Sequence, residues 1–330
     1  MPQPDFGFLI VVTAGFASAT LIAAMLRSGR AGALDKPNQR SLHSRPVPRS
    51  GGLGVMLATA IGMAATAAPL WLAAAVGLVA LVSWLDDQKH LPIPARFAGH
   101  FVAAGIVAWG SGLAGWGIGA MTAAVFAMVW MTNLYNFMDG SNGLAGGMAA
   151  FGFGTLALAS QWAGDADSAA LAGCIAAGAA GFLLFNFHPA RIFMGDVGSI
   201  PLGFLAAALG LDGVRRGLWP LWFPLLLFSP FVVDASVTLL RRALRGERLW
   251  QAHRDHYYQR QVRMGWSHRR LAVAEYALMA AMAALALELR TAPAWAQGAG
   301  LALAAAVYAG LAVVINRRWR RHLAAVGAAS

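Results

Sequence analysis

Polar residues interrupt this chain too seldom for it to fold in water. A 19-residue hydropathy window finds about eleven apolar segments, at 6–26, 51–69, 70–85, 95–110, 117–136, 143–161, 168–185, 197–212, 218–240, 270–289 and 297–316. Most approach the roughly 20 residues that a helix needs to cross a bilayer. The second and third run together around Pro69 and are divided there, because together they are too long for one crossing. Charged residues are only 12% of the 330, about half the share that coats a soluble domain. The sequence therefore predicts an all-α integral membrane protein with about eleven transmembrane helices, organised as a single polytopic domain over 1–330. The first segment lacks a basic leader and is longer than the apolar core of a secretory signal, so it reads as a retained span. The one cysteine, Cys174, lies in an apolar stretch and reads as a small packing residue with no internal disulfide.

The net charge of +11 would suggest nucleic acid in a soluble protein. Its distribution gives a different account. With the N-terminus outside, the cytoplasmic segments are 27–50, 86–94, 137–142, 186–196, 241–269 and 317–330. Counting Arg96 and Arg270 at adjoining helix ends, these hold 22 of the 25 Lys and Arg residues, and only Arg215, Arg216 and Arg290 stay outside. That asymmetry predicts a periplasmic N-terminus and a cytoplasmic C-terminus, with no nucleic-acid partner.

The same internal segments carry the residues capable of chemistry. Asp86 and Asp87 are adjacent carboxylates at a membrane edge, where they need a cation such as Mg²⁺, Lys or Arg, unless they form a solvated helix end beside Lys89. Asn133, Asn136, Asp139 and Asn142 arrive together after a long apolar run. The spacing of the last three lets one face of a helix end present them, and Gly140 and Gly143 permit a tight turn. Asp196, flanked by Gly195 and Gly198 and followed by Ser199, suits Mg²⁺, whose octahedral oxygen shell is completed by phosphate and water. Phe193 on the same loop either stacks a base or anchors the interface.

In the long basic loop, His253 and His256 are spaced for one helical face. With Arg254 between them, they suit a diphosphate better than a metal. Arg241, Arg242, Arg245 and Arg248 read as solvated arginines against anionic lipid. In the first loop, Arg40, His43 and Arg49 either reach phosphates or serve as positive-inside anchors. Asp234, deep in the ninth segment, is either functional or holds a neighbouring helix in register. No Walker sequence and no Gly-rich nucleotide fingerprint is present.

Taken in order, Asp35–Gly52, Asp86–His100, Asn133–Gly143, Asn186–Ser199 and His253–Arg260 resemble the signature loops of the polyprenyl-phosphate N-acetylhexosamine-1-phosphate transferases. This is a glycosyltransferase family that includes the phospho-MurNAc-pentapeptide translocase. The resemblance spans roughly residues 6–316 and places the protein as a multi-pass enzyme of the bacterial cytoplasmic (inner) membrane. It implies transfer of HexNAc-1-phosphate from a UDP-N-acetylhexosamine to undecaprenyl phosphate, with UMP released. It also implies Mg²⁺ as cofactor, with Mn²⁺ able to substitute.

The resemblance further implies roles for the residues. Asp86, Asp87, Asp139, His253 and His256 would be catalytic, and Asp196 the metal ligand. Arg40, His43, Arg49, Asn136, Asn142, Asn186, Phe193 and Arg254 would bind substrate, with Phe193 on uracil and Asn186 near the diphosphate. The His-Arg-Asp-His run replaces the peptidoglycan enzyme's triple histidine and favours the branch that initiates lipid-linked surface polysaccharide, such as O-antigen. Two routes stay open: direct attack by the lipid phosphate, with Asp86 handling its proton, or two steps through an Asp nucleophile. The alternatives are the phospho-MurNAc-pentapeptide transferase itself, a polyprenyl-diphosphate phosphatase, and a multi-span transporter of a lipid-linked or anionic substrate. The donor sugar and oligomeric state are not legible, and a homodimer is left open.

Overall fold

The computed structural model describes residues 6–29, 32, 34–35, 42, 45–248, 251 and 253–327. Thirteen α-helices occur among them: α1 (Phe6–Arg27), α2 (Gly52–Ala65), α3 (Leu70–Lys89), α4 (Ile93–Gly110), α5 (Ile118–Met138), α6 (Leu144–Trp162), α7 (Ala166–Asn186), α8 (Asp196–Arg215), α9 (Trp222–Leu227), α10 (Ser229–Leu244), α11 (Tyr257–Arg263), α12 (His268–Leu289) and α13 (Ala294–Gly327). A two-residue antiparallel ladder, β1 (Leu34–Asp35) with β2 (Val47–Pro48), pairs Leu34 with Pro48 and Asp35 with Val47. Seven helices, α1, α3, α5, α7, α8, α12 and α13, are long and apolar enough to cross a membrane by length and composition. The protein is an all-helical membrane protein.

Helix α7 packs against α1, α2 and α6, and α8 lies against α3 and α5. Small residues make these approaches possible, since dispersion rather than water expulsion holds helices together in lipid. A Cβ on Gly181 would sit 2.6 Å from the Gly15 carbonyl oxygen, so α1 could not lie this close to a larger residue. Cys174 packs with Ala14 and Ala58 in a small buried cluster and is a free thiol.

Three features depart from the sequence reading. The ninth apolar segment is two helices, not one. Pro230 has no N–H to offer the Leu226 carbonyl, and the Ser229 hydroxyl donates to that carbonyl instead (2.6 Å), so the chain turns between α9 and α10. The basic loop 241–269 contains the short helix α11. The final helix runs past residue 316 to Gly327, absorbing a tail that composition marks only as basic.

Candidate active site

One end of the bundle gathers the ends of α3, α5, α7 and α10, the starts of α8 and α12, and the helix α11. A cavity of about 780 Å³ opens there. Asn136, Asp139, Asn142, Asn186, Phe193, His253 and His256 line its polar part, together with Asp35, Arg96, Ser141 and His268. It continues between α4 and α5 as an apolar arm formed by Phe97, Phe101, Phe126, Val129 and Trp130. A volume of this size accommodates a small organic ligand.

The paired acids lie behind the cavity wall and already have partners. Asp86 accepts the Leu91 N–H through Oδ1 (2.7 Å) and pairs with Arg96 through Oδ2 (2.7 Å). Asp87 accepts the Val197 N–H (3.2 Å), so it caps the first turn of α8. Arg49 reaches Asp87 through Nε (3.6 Å) and donates from Nη2 to its backbone carbonyl (2.6 Å). Arg49 is therefore engaged with an acid and does not line the cavity, and Arg254 does not line it either. Arg40 and His43 fall outside the described residues.

Asp196 opens α8 after Gly195, whose φ of +72° is a left-handed conformation. A Cβ at Gly195 would collide with the Arg49 carbonyl oxygen, so only glycine brings the first loop this close to Asp196. Asp139 is the C-cap of α5. Burial holds its carboxyl well above the usual carboxylate range, and the charges of Asp196, Asp87 and Asp35 push it further. Four carboxylates thus share one field, a setting that calls for a cation or a proton.

The polar set on α5 is arranged differently from the helical face that its spacing suggests. The helix ends at Met138, so Asp139 and Asn142 reach the cavity from a turn. Asn136 Oδ1 accepts from the Ser199 hydroxyl (2.8 Å). Asn142 Nδ2 meets His188 Nδ1 at 3.1 Å. Asn186 accepts the Gly143 N–H (2.8 Å) and donates to the Ile192 carbonyl (2.8 Å), which ties two loops together. Phe193 is aimed by its backbone: its N–H donates to the Pro48 carbonyl (2.7 Å) and its carbonyl accepts from Gly51 (2.9 Å).

His253 precedes α11 and His256 is its N-cap, so the two do not share a helix face, yet their ring centroids are 4.9 Å apart. Burial first, then His256 and Arg242, lower the His253 pKa to about 4. Near neutrality it is an uncharged ring and not a ready-made cation.

Asp234 explains why α11 exists. It accepts the N–H groups of Tyr257 (2.8 Å) and Tyr258 (3.0 Å) at the first turn, and its Oδ1 lies 3.4 Å from His256 Nδ1. This buried acid on α10 holds the histidine segment in place. Arg241 and Arg242, read from sequence as lipid-facing, are structural too. Arg242 is buried and pairs with Asp255 (2.6 Å) and Glu247 (2.8 Å), and Arg241 donates to Tyr257 (2.6 Å).

Asp234→Asn replaces an acceptor oxygen by an NH₂ facing N–H donors. It is expected to cost about 1–3 kcal/mol, read as a lowered midpoint in detergent melts. An unchanged midpoint together with unchanged activity would remove Asp234 from this role.

Sequence reasoning missed Arg96, Asp35, Ser141 and His268. Arg96 had a signal, because Pro92 and Pro94 after Asp86 announce a helix reversal that brings the next turn back onto the acids. Ser141 Oγ is 2.7 Å from His268 Nδ1, and His268 Nε2 is 3.2 Å from the Leu42 carbonyl. That oxygen can only accept, so Nε2 carries the proton and the serine hydroxyl donates to Nδ1. No local pattern announces this link across 127 residues.

Residues 69–214, which hold the paired acids, the polar turn after α5 and the Asp196 loop, match the sequence profile of Glycosyl transferase family 4. Over these residues the chain resembles this family. Its similarity to named transferases extends well beyond that region. It is 29% identical over 284 residues to a probable undecaprenyl-phosphate N-acetylglucosaminyl 1-phosphate transferase of Bacillus subtilis, covering 80% of this chain and 79% of the relative. It is 29% identical to a decaprenyl-phosphate N-acetylglucosaminephosphotransferase of Mycobacterium tuberculosis, covering 78% and 76%. A phospho-N-acetylmuramoyl-pentapeptide-transferase of Geobacillus thermodenitrificans is 32% identical over 167 residues, covering 50% and 49%.

Proposed function

We propose that this chain transfers an N-acetylhexosamine-1-phosphate from a UDP-sugar to undecaprenyl phosphate in the bacterial cytoplasmic membrane, releasing UMP and initiating a lipid-linked surface polysaccharide. The observation that carries this reading is the two-part cavity. Its polar part, with Asn136, Asp139, Asn142, Phe193 and the two histidines, suits a nucleotide-diphosphate sugar. Its arm of Phe97, Phe101, Phe126, Val129 and Trp130 suits an isoprenoid chain. A transporter would place charge near the bilayer midplane between broken helices, whereas these acids sit at one end of the bundle. The surface-polysaccharide branch is favoured because the similarity to the N-acetylglucosaminyl 1-phosphate transferase covers 80% of the chain against 50% for the pentapeptide-transferase.

An oxygen of the lipid phosphate attacks the β-phosphorus, the bond to the α-phosphate oxygen breaks, and UMP leaves. One phosphoanhydride replaces another, so rate comes from positioning and charge neutralisation. Phe193 holds the base, and Asn142 reads its edge from the turn after α5. Asp139 and Asp35 are the carboxyls that face the cavity, and Asp139 is the one at the end of α5. Raised by burial and its neighbours, it can hold the acceptor phosphate's proton as that oxygen attacks. Asp86, fixed by Arg96 and the Leu91 N–H, sets the position of Arg96 at the cavity wall.

The acid cluster fits Mg²⁺, with Mn²⁺ as substitute. Among the described residues, no three Asp, Glu, His or Cys side chains form a ready cage, but Mg²⁺ uses one or two carboxylates and takes its remaining ligands from phosphate and water. Asp196 would hold it, and when bound it would neutralise the diphosphate and the departing UMP.

The test is to mix purified protein with undecaprenyl phosphate and UDP-GlcNAc, UDP-FucNAc or UDP-QuiNAc. One UMP should appear per lipid-linked sugar. Release of inorganic phosphate instead would mark a phosphatase, and no product from any donor would overturn the reading.

The chain would cross about eleven times, with the N-terminus periplasmic and the cavity cytoplasmic. Arg245 on the basic loop is exposed and serves as the reporter position. In a Cys174→Ala background, Arg245→Cys should react with an impermeant thiol reagent only after spheroplasts are opened. Labelling in intact spheroplasts would reverse the topology.

A further inference from the structure

Away from the cavity, where α10, α11 and α13 meet, two guanidinium groups are held together, and among the described residues neither makes an ion pair. Arg241 Nη1 donates to the Tyr257 hydroxyl (2.6 Å) and to Asn316 Oδ1 (2.9 Å), and Arg260 Nη1 donates to the same Asn316 oxygen (3.0 Å). Sharing one acceptor keeps the two nitrogens no more than about 6 Å apart. Both groups lie over the Tyr257 ring, at 5.8 and 5.5 Å from its centroid. The Trp319 ring receives Arg260 (5.9 Å) and Arg263 (4.6 Å).

Arg260 is 6% exposed, and its Nε is buried with no hydrogen-bond partner. Among the described residues, neither Arg241, Arg260 nor Arg263 makes an ion pair. The two acids that act on Arg260 at longer range have direct partners elsewhere, Asp255 in Arg242 and Asp234 in the N–H groups of α11. Two like charges at this separation repel unless an anion joins them. A pair of planar guanidinium forks with free N–H groups is the donor set that phosphate oxygens match.

The site's position selects the kind of phosphate. Helix α13 is 34 residues long, more than a crossing needs, and is the least buried of the seven long apolar helices. Asn316 and Trp319 lie where its apolar stretch gives way to Arg317, Arg318, Arg320 and Arg321, which is the depth of lipid headgroups. We propose that Arg241, Arg260, Tyr257, Asn316 and Trp319 form a binding site for the phosphodiester of an anionic glycerophospholipid, on the lipid-facing flank behind α11. The proposal does not rest on the transferase reading. It reaches the cavity through one short helix, because Tyr257 follows His256.

The test uses the full-length protein in detergent with added phosphatidylglycerol or phosphatidylcholine, counting retained lipids by native mass spectrometry. Wild type should retain one phosphatidylglycerol at least tenfold more tightly than phosphatidylcholine. Arg241→Gln combined with Arg260→Gln should abolish that preference. Replacing the exposed Arg317, Arg318, Arg320 and Arg321 by Gln should leave it intact. Equal retention of both lipids by wild type would overturn the proposal without any variant having to fold. Loss of the preference only in the four-fold tail variant would reduce the effect to general attraction of a basic tail and overturn it as well. Displacement by millimolar inorganic phosphate would mark a site for a free anion and overturn the lipid assignment.

Discussion

Asp196→Asn is expected to lower transferase turnover by about 100-fold or more, the scale on which losing one key electrostatic contact is felt, while leaving the fold intact. The substitution keeps the shape of the side chain and removes the charge that a hard cation needs. The paired acids cannot replace it. Both oxygens of Asp86 are taken by Arg96 and Leu91, and Asp87 is tied to Arg49 and the start of α8.

Stability should move the other way. The Asp139 carboxyl is raised by burial and then most by Asp196 among its charged neighbours. A carboxyl raised on folding contributes stability that is complete below its unfolded pKa and is lost as pH rises through the folded value. Metal-free wild type should therefore soften as pH climbs, and Mg²⁺ should raise its midpoint more at alkaline than at mildly acidic pH. In Asp196→Asn the metal-free midpoint should be equal or higher and the Mg²⁺ effect smaller. A charge that merely favours the N-terminus of α8 would give the opposite pair of results, a lower midpoint with activity retained.

The membrane character of the chain was legible because lipid imposes a length on apolar runs, and the boundaries of α3 through α8 follow from that length. The break at Ser229-Pro230 was not, since a proline inside an apolar run leaves its hydropathy unchanged. Helix α11 was hidden for a different reason. Seven residues in a basic loop have no helical future of their own, and this helix is fixed by Asp234 from 23 residues earlier and by Asn316 from the far end of the chain.

Within the candidate site, composition identified which loops carry chemistry but not which way each residue faces. Hydropathy reports depth along the membrane normal, and facing depends on packing. Asn136, Asp139, Asn142, Asn186, Phe193, His253 and His256 line the cavity, while Asp86, Asp87 and Asp196 stand behind its wall. Arg49 was ambiguous between phosphate binding and anchoring, and the structure gives it a third task, neutralising Asp87. Arg242 looked like a solvated arginine because its partners, Glu247 and Asp255, are ordinary loop residues until the chain folds back on itself.

Phe193→Ala separates recognition from chemistry. Its ring lines the cavity on a loop whose backbone is pinned on both sides, by Pro48 and by Gly51, so truncation should leave the loop in place and remove only the stacking surface. A base stacked on an aromatic side chain is worth ~1–3 kcal/mol by alanine substitution, so UDP-sugar and UMP affinity should fall roughly ten- to a hundredfold. Stacking persists from bound substrate through departing UMP, which makes it uniform binding, so KM should rise more than kcat falls. Asp139→Asn should behave oppositely: kcat should fall with UMP affinity nearly unchanged, because the carboxyl acts on the attacking phosphate. Isothermal titration of UMP into both variants decides the matter. Normal UMP binding by Phe193→Ala would reduce that ring to an interface anchor and move the search for the base site to Ser141, Asn142 and His268. All three line the cavity, and the hydrogen bonds of His268 with Ser141 and the Leu42 carbonyl join the turn after α5 and the first loop to α12.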